Sequence, residues 1–220
     1  MDYFEVVHTQ RAIRRFKPDP VPEAELWKMI DAAIRAPSGS NTQPWAWVVV
    51  QDAVKRAAIG AAVKSRLQET DRLKEIRNEA QQSPDPVRRR MLASAADFFE
   101  NITAAPVLVV PCLTRSSTDD YDVRSLLAGA SIYGAVQNFM LAGRALGIGS
   151  VLTTFNRYIE ETLHRELGLP EEVVPACVIP VGYPDGQRFG PTTRRPAESV
   201  TYWDAWGSSK TRAANRGPGG

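Results

Sequence analysis

The 220-residue sequence is short of the residues from which self-sufficient active sites are usually built, with two histidines and two cysteines. Neither His8 nor His164 has a Cys, Asp or His at ligand spacing, so both read as structural. No Ser-His-Asp, Cys-His or paired-carboxylate constellation can be assembled, and no cluster has zinc spacing. Cys112 and Cys177 each sit inside an apolar, strand-like run and read as buried free thiols. Asp119, Asp120 and Asp122 lack the Asn/Asp/Gly loop and closing Glu of a calcium site, and read as helix-start acids. An excess of charge is also missing. With 27 basic and 25 acidic residues the net charge is +2, which supplies no global field for nucleic acid or membrane. No uninterrupted apolar run spans a bilayer; the longest candidate, 126–146, is broken by Gln137, Asn138, Arg144 and glycines. The opening Met-Asp-Tyr-Phe-Glu has neither a basic nor an apolar leader region, which sets a cytoplasmic location as the expectation. Gly147-Ile-Gly149 lacks the third glycine of a dinucleotide fingerprint and comes after a helix, so it reads as helix termination.

What is present is organised around residues 35–50. A helical pattern from Glu23, with Leu26, Met29, Ile30, Ala33 and Ile34 in one stripe, stops at Arg35. Trp45-Ala-Trp-Val-Val-Val50 reads as a core strand. Between them Ser38-Gly-Ser-Asn-Thr-Gln43 offers hydroxyl and amide groups and close backbone approach, without any charge. Two readings fit: a loop that holds a ligand needing many hydrogen bonds, or a polar turn that satisfies its own backbone. Upstream, Arg11, Arg14 and Arg15 put three cations within five residues. They form either a solvated turn or a phosphate clamp, since a guanidinium fork matches phosphate oxygens.

The segment Arg11-Ala-Ile-Arg-Arg-Phe16, then Pro20-Val-Pro22, then Ala36-Pro-Ser-Gly-Ser-Asn-Thr-Gln-Pro-Trp45, resembles the N-terminal signature of the FMN-dependent nitroreductase family. Gln137-Asn-Phe-Met-Leu-Ala-Gly-Arg-Ala-Leu-Gly-Ile-Gly-Ser150 and Pro180-Val-Gly-Tyr-Pro184, leading to Arg194-Arg-Pro196, agree in order and spacing. The resemblance implies an α+β domain over residues 1–207, and the small, polar, basic end over 208–220 reads as a disordered tail. It implies a central mixed, mostly antiparallel sheet flanked by helices, with strands at Trp45–Gln51, Val107–Leu113, Ser150–Thr154 and Val174–Gly182. The small-residue helix Val123–Leu146 would be buried in a homodimer, and a C-terminal arm from Pro184 would dock on the partner chain. Residues 65–90 read as a surface excursion over the site's mouth.

By position, the resemblance assigns FMN contacts to Gln10, Arg11, Ala12, Arg14, Pro37, Ser38, Gly39, Asn41, Gln43, Leu152, Thr153, Thr154 and Arg194. Family members often carry Arg at the Gln10 position and Ser or Asp at the Ala12 position, which throws weight onto Arg11 and Arg14. Arg14 is also the candidate for stabilising charge on the reduced flavin. A chain with no acid–base or nucleophile candidates leaves the difficult step to a cofactor. The implied reaction takes hydride from NADH or NADPH and reduces a nitroaromatic, quinone or related electrophile by a ping-pong mechanism. Reductive dehalogenation, enone reduction, flavin fragmentation and simple FMN storage are the alternatives. The implied FMN sites are composite, with the basic segment from one chain and the Ser38 loop from the other, and the substrate is a small molecule.

Overall fold

A computed structural model describes residues 1–114 and 124–211. Asp119, Asp120, Asp122 and most of the expected tail, from 212 onward, lie outside the described residues. Helix α1 (Tyr3–Thr9) is capped by the Asp2 carboxylate, which accepts from the Phe4 N–H at 3.1 Å. Pro22 is the residue before α2 (Glu23–Ala33), whose first turn carries Glu23 and Glu25. Strand β1 (Trp45–Val50) leads to three helices, α3 (Ala53–Glu69), α4 (Arg72–Gln82) and α5 (Pro86–Glu100). Helices α3 and α4 are separated where Asp71 takes a left-handed φ of 51°. Next come β2 (Val107–Thr114), the long helix α6 (Leu126–Ala145), β3 (Gly149–Ser150), α7 (Glu160–Leu167), β4 (Val173–Pro175) and β5 (Ile179–Gly182).

The sheet runs β1-β2-β5-β3 with β4 also on β2, and every described strand pairing is antiparallel. Alternation along the strands sorts the core into two layers. Trp45, Trp47, Val107, Val109 and Ile179 pack with α2 and α6, where Trp47 stacks on Phe139 at 5.5 Å. Ala46, Val48, Leu108, Val110 and Cys112 face the opposite layer, formed by α3, α5 and α7. Helices therefore cover both faces of the sheet.

The expected strand Val174–Gly182 is split. Cys112 faces Pro175 while Val109 faces Ile179, so four steps on one strand match three on the other, a one-residue bulge. Its cause is Pro111. It lies on the central strand β2, and its carbonyl accepts from Ala176 N–H at 2.8 Å on the bulged side. The missing proline N–H points the same way, and the bulge removes the partner it would have needed. The strand expected over Ser150–Thr154 is also shorter than the sequence suggests. Only Gly149–Ser150 form a ladder, and Thr153 makes an isolated bridge to Val178. Phe155–Tyr158 then form a 3-10 turn, and the Asn156 amide donates to the Pro175 carbonyl at 2.8 Å.

Helix α6 ends as expected at Gly147 (φ 77°), with Ile148 N–H reaching back to the Gly143 carbonyl at 2.8 Å. Its 20 residues are apolar and long enough on composition to cross a bilayer. Within the chain, however, Ile132, Val136 and Phe139 form core with α2 and the sheet. Its other face leaves Leu126 (91% exposed), Leu127 and Tyr133 uncovered in the single chain.

Two predictions arise here. A Cβ on Gly149 would lie 2.7–2.9 Å from three side-chain atoms of Ile13. Gly149→Ala is expected to cost about 1–3 kcal/mol, read from urea unfolding, and an unchanged midpoint would contradict this contact. The second prediction concerns the thiols. Both cysteines are buried and free; burial pushes the Cys112 thiol up to about 12 and raises Cys177 as well, with Cys112 adding to the latter. An unfolded thiol ionises near 8.5, so the stabilisation from keeping these thiols neutral is full below that pH. It is lost as pH rises toward the folded values, at about 1.4 kcal/mol per pH unit per thiol. Wild type should lose more stability between pH 8 and 10 than Cys112→Val; equal losses would contradict the burial effect.

Candidate functional site

The N-terminal segment is stitched along one end of the sheet. Ile13 N–H donates to the Ser150 carbonyl at 3.1 Å and Lys17 N–H to the Tyr183 carbonyl at 2.9 Å, and Phe16 bridges Pro184. The Gln187 side-chain oxygen accepts from the N–H groups of both Arg14 and Arg15, at 2.6 and 3.0 Å. Gln187 thus fixes the backbone that carries Arg14. Nothing in the sequence pointed to it, because a lone Gln in a proline-punctuated arm has no pattern.

Arg14 opens into a cavity of about 440 Å³. Its floor is apolar and buried: Val63, Ile76, Phe98, Val151, Phe155 and Ile159. Its rim is polar and exposed, with Arg66, Thr70, Arg72, Thr154, Arg157 and Tyr158. Leu152 and Thr153 complete the wall beside Arg14. Among the described residues, four arginines and no carboxylate line the cavity. Arg14 is half-buried, and its pKa is lowered by burial first and by the Arg11 charge second. The helices of the 65–90 excursion contribute Arg66, Leu67, Thr70, Arg72 and Ile76, so this stretch forms one side of the cavity.

Thr153 spends its polar groups internally: its N–H and hydroxyl both donate to the Val178 carbonyl, at 3.1 and 2.6 Å, and its own carbonyl accepts from Val178. Strand alternation turns the neighbouring amides the other way. Among the described residues, the N–H groups of Leu152 and Thr154 have no backbone acceptor. Both residues also line the cavity.

The remaining candidates lie elsewhere. Gln10 ends α1 with its N–H on the Val6 carbonyl at 2.9 Å, Arg11 is exposed, and Ala12 packs on the second core layer. Arg194 is exposed and bonds the neighbouring Thr193 carbonyl at 2.9 Å. None of Pro37, Ser38, Gly39, Asn41 and Gln43 lines the cavity. Their loop rests on α6, where Gly39 N–H donates to the Ser131 hydroxyl at 3.1 Å. Ser40, Asn41 and Gln43 all take positive φ of 49–54°, a region that costs non-glycine residues energy. The Ser38 hydroxyl accepts from Gln43 N–H at 3.0 Å and the Gln43 amide donates to Asn41 Oδ1 at 3.3 Å. The loop thus satisfies part of itself, while the Ser38 hydroxyl keeps its own proton to donate.

Comparison with known proteins places these features in a wider group. Residues 7–183 match the model of the nitroreductase family. A protein named NADH dehydrogenase from Thermus thermophilus is 30% identical over 205 residues, covering 88% of this chain and 92% of its own. An iodotyrosine deiodinase from Thermotoga neapolitana is 27% identical over 188 residues, covering 83% and 88%. Among solved structures, the FMN and NADPH-dependent nitroreductase of Sphigopyxis sp. strain HMH shares the fold with a TM-score of 0.71. It is 21% identical, over 94% of this chain and 100% of the other.

Proposed function

The chain belongs to the nitroreductase family, and from that premise we propose that it is a cytoplasmic, NAD(P)H-dependent FMN oxidoreductase acting on small electrophiles such as nitroarenes and quinones. The observation that carries the reading is the cavity wall, which combines the half-buried Arg14 with Leu152 and Thr154, whose amides have no backbone acceptor among the described residues. A cation and N–H donors on one wall suit the electron-rich pyrimidine edge of a flavin, and the donor set fits the group. Bound there, FMN supplies the hydride-accepting and hydride-donating chemistry that no side chain of this protein offers.

The residues have divisible tasks. Arg11, Arg14 and Arg194 provide cations for a phosphate and for charge that develops on the cofactor. Gln187 holds the Arg14 backbone in place. The apolar floor excludes water from the reacting face. The Ser38–Gln43 loop, absent from the cavity of its own chain, reaches the FMN bound by a second copy. Two exposed surfaces support such a homodimer. One is the apolar face of α6 with Leu126, Leu127 and Tyr133; the other is the arm bearing Trp203 (49% exposed) and Trp206 (90% exposed).

A yellow protein with one FMN per chain is expected, and stopped-flow mixing with NADH or NADPH should bleach its flavin absorbance within seconds. A flavin that binds but resists both reductants would reject the enzyme reading in favour of storage.

A further inference from the structure

The rim of the cavity is more cationic than flavin binding requires. Arg66 comes from α3, Arg72 from α4 and Arg157 from the 3-10 turn before α7, and all three converge on a cavity with no acidic lining residue among the described residues. Arg66 and Arg72 have carboxylate partners, Glu69 at 3.0 Å and Glu75 at 2.8 Å, but both acids lie outside the lining and both pairs are solvent-exposed. Exposed pairs of this kind are worth only about 0–1 kcal/mol and are easily exchanged. Arg157 has no carboxylate partner among the described residues: its guanidinium lies over the Tyr158 ring at 4.5 Å and donates to the Tyr158 hydroxyl. Stacking holds the planar fork in place while leaving N–H groups for a ligand. Below the rim, Phe99 and Phe155 meet edge to face at 6.3 Å, and Phe98 lies with aliphatic side chains in the floor.

We propose that the electrophile reduced here has an aromatic or similarly flat apolar body and carries an acidic group, a carboxylate, sulfonate or phosphate. The body enters the cavity, and Arg72 and Arg157 hold the acidic group at the rim, with Arg66 adding to the field. The proposal rests on the oxidoreductase reading and names its substrate class. A nitroarene acid serves as a probe: NAD(P)H delivers two electrons and a proton as hydride, solvent adds a second proton, one N–O bond breaks, and the nitroso acid and water leave.

The test compares 4-nitrobenzoate with 4-nitrobenzamide on the FMN-loaded enzyme at saturating NADH or NADPH. Calorimetric titration with benzoate and benzamide gives a readout without turnover. Wild type should favour the acid by about tenfold or more in kcat/KM, as expected for a charge-assisted contact, and 0.5 M salt should shrink that preference. In Arg72→Gln/Arg157→Gln the acid-to-amide ratio should fall about tenfold, chiefly through KM for the acid, and benzoate binding should weaken in parallel. Arg66→Gln should show a smaller drop, and Arg89→Gln, exposed on α5, should keep the wild-type ratio. Equal handling of acid and amide by a flavin that NAD(P)H still bleaches overturns the proposal and leaves the oxidoreductase reading standing. If neither nicotinamide bleaches the flavin, that reading fails, and benzoate binding no tighter than benzamide then overturns the anion site too. A double variant that loses FMN, or raises KM for NAD(P)H with an unchanged acid-to-amide ratio, assigns the arginines to cofactor or reductant and also overturns it.

Discussion

Arg11→Ala and Arg14→Ala proteins should each purify with much less flavin than wild type, and the double variant nearly colourless. Hydrogen bonds to a charged group are worth about 1.5–3 kcal/mol, so each loss weakens FMN affinity roughly ten- to a hundredfold. The effect of Arg14 should be the larger. Arg14 is half-buried in a cavity lined by no carboxylate among the described residues, and burial and Arg11 both disfavour its charge. Such a cation is costly until an anionic or electron-rich ligand arrives. The apo form of Arg14→Ala should therefore melt no lower than apo wild type, while the FMN-induced rise in Tm shrinks. Titration of apo-protein with FMN, followed by flavin fluorescence, gives the affinities. Wild-type affinity in both single variants would remove these arginines from the site.

The parts of the fold that were legible in the sequence are those where one local signal dominates. Trp45–Val50 alternates between two buried layers, so its β-branched and aromatic run read correctly as a core strand. The apolar stripe of α2 and the glycine stop of α6 were equally plain. The misplaced boundaries have tertiary causes. The bulge at Ala176 answers a proline on the neighbouring strand, and strand periodicity cannot see a partner. The chain leaves the ladder after Ser150 because Val151 faces Pro180, whose carbonyl accepts at 3.4 Å but which has no N–H to return, and beyond it Thr153 makes a single bridge to Val178. In the candidate site, Arg14 and Leu152–Thr154 were named from the resemblance and line one cavity. The rim was not anticipated. Arg66, Arg72 and Arg157 have the exposure and neighbouring acids of an ordinary solvated surface, and only the packing of α3, α4 and the 155–158 turn brings them together. Gln187 was equally invisible, since its role depends on a partner 173 positions away.

The central claim is that each FMN site draws on two chains, and subunit mixing tests it most directly. Arg11 and Arg14 lie before α2 and the Ser38–Asn41 loop lies after it. In one chain the loop packs on α6 and not on the cavity that holds Arg14. One parent carries Arg11→Ala/Arg14→Ala and the other Ser38→Ala/Asn41→Ala, with different affinity tags so that heterodimers can be isolated. Each parental homodimer should be almost devoid of FMN and activity. In a shared-site heterodimer, one site collects both sets of substitutions and the other collects neither. The account predicts one FMN per dimer and about half the wild-type activity. Heterodimers that assemble yet hold no more flavin than their parents would contradict it.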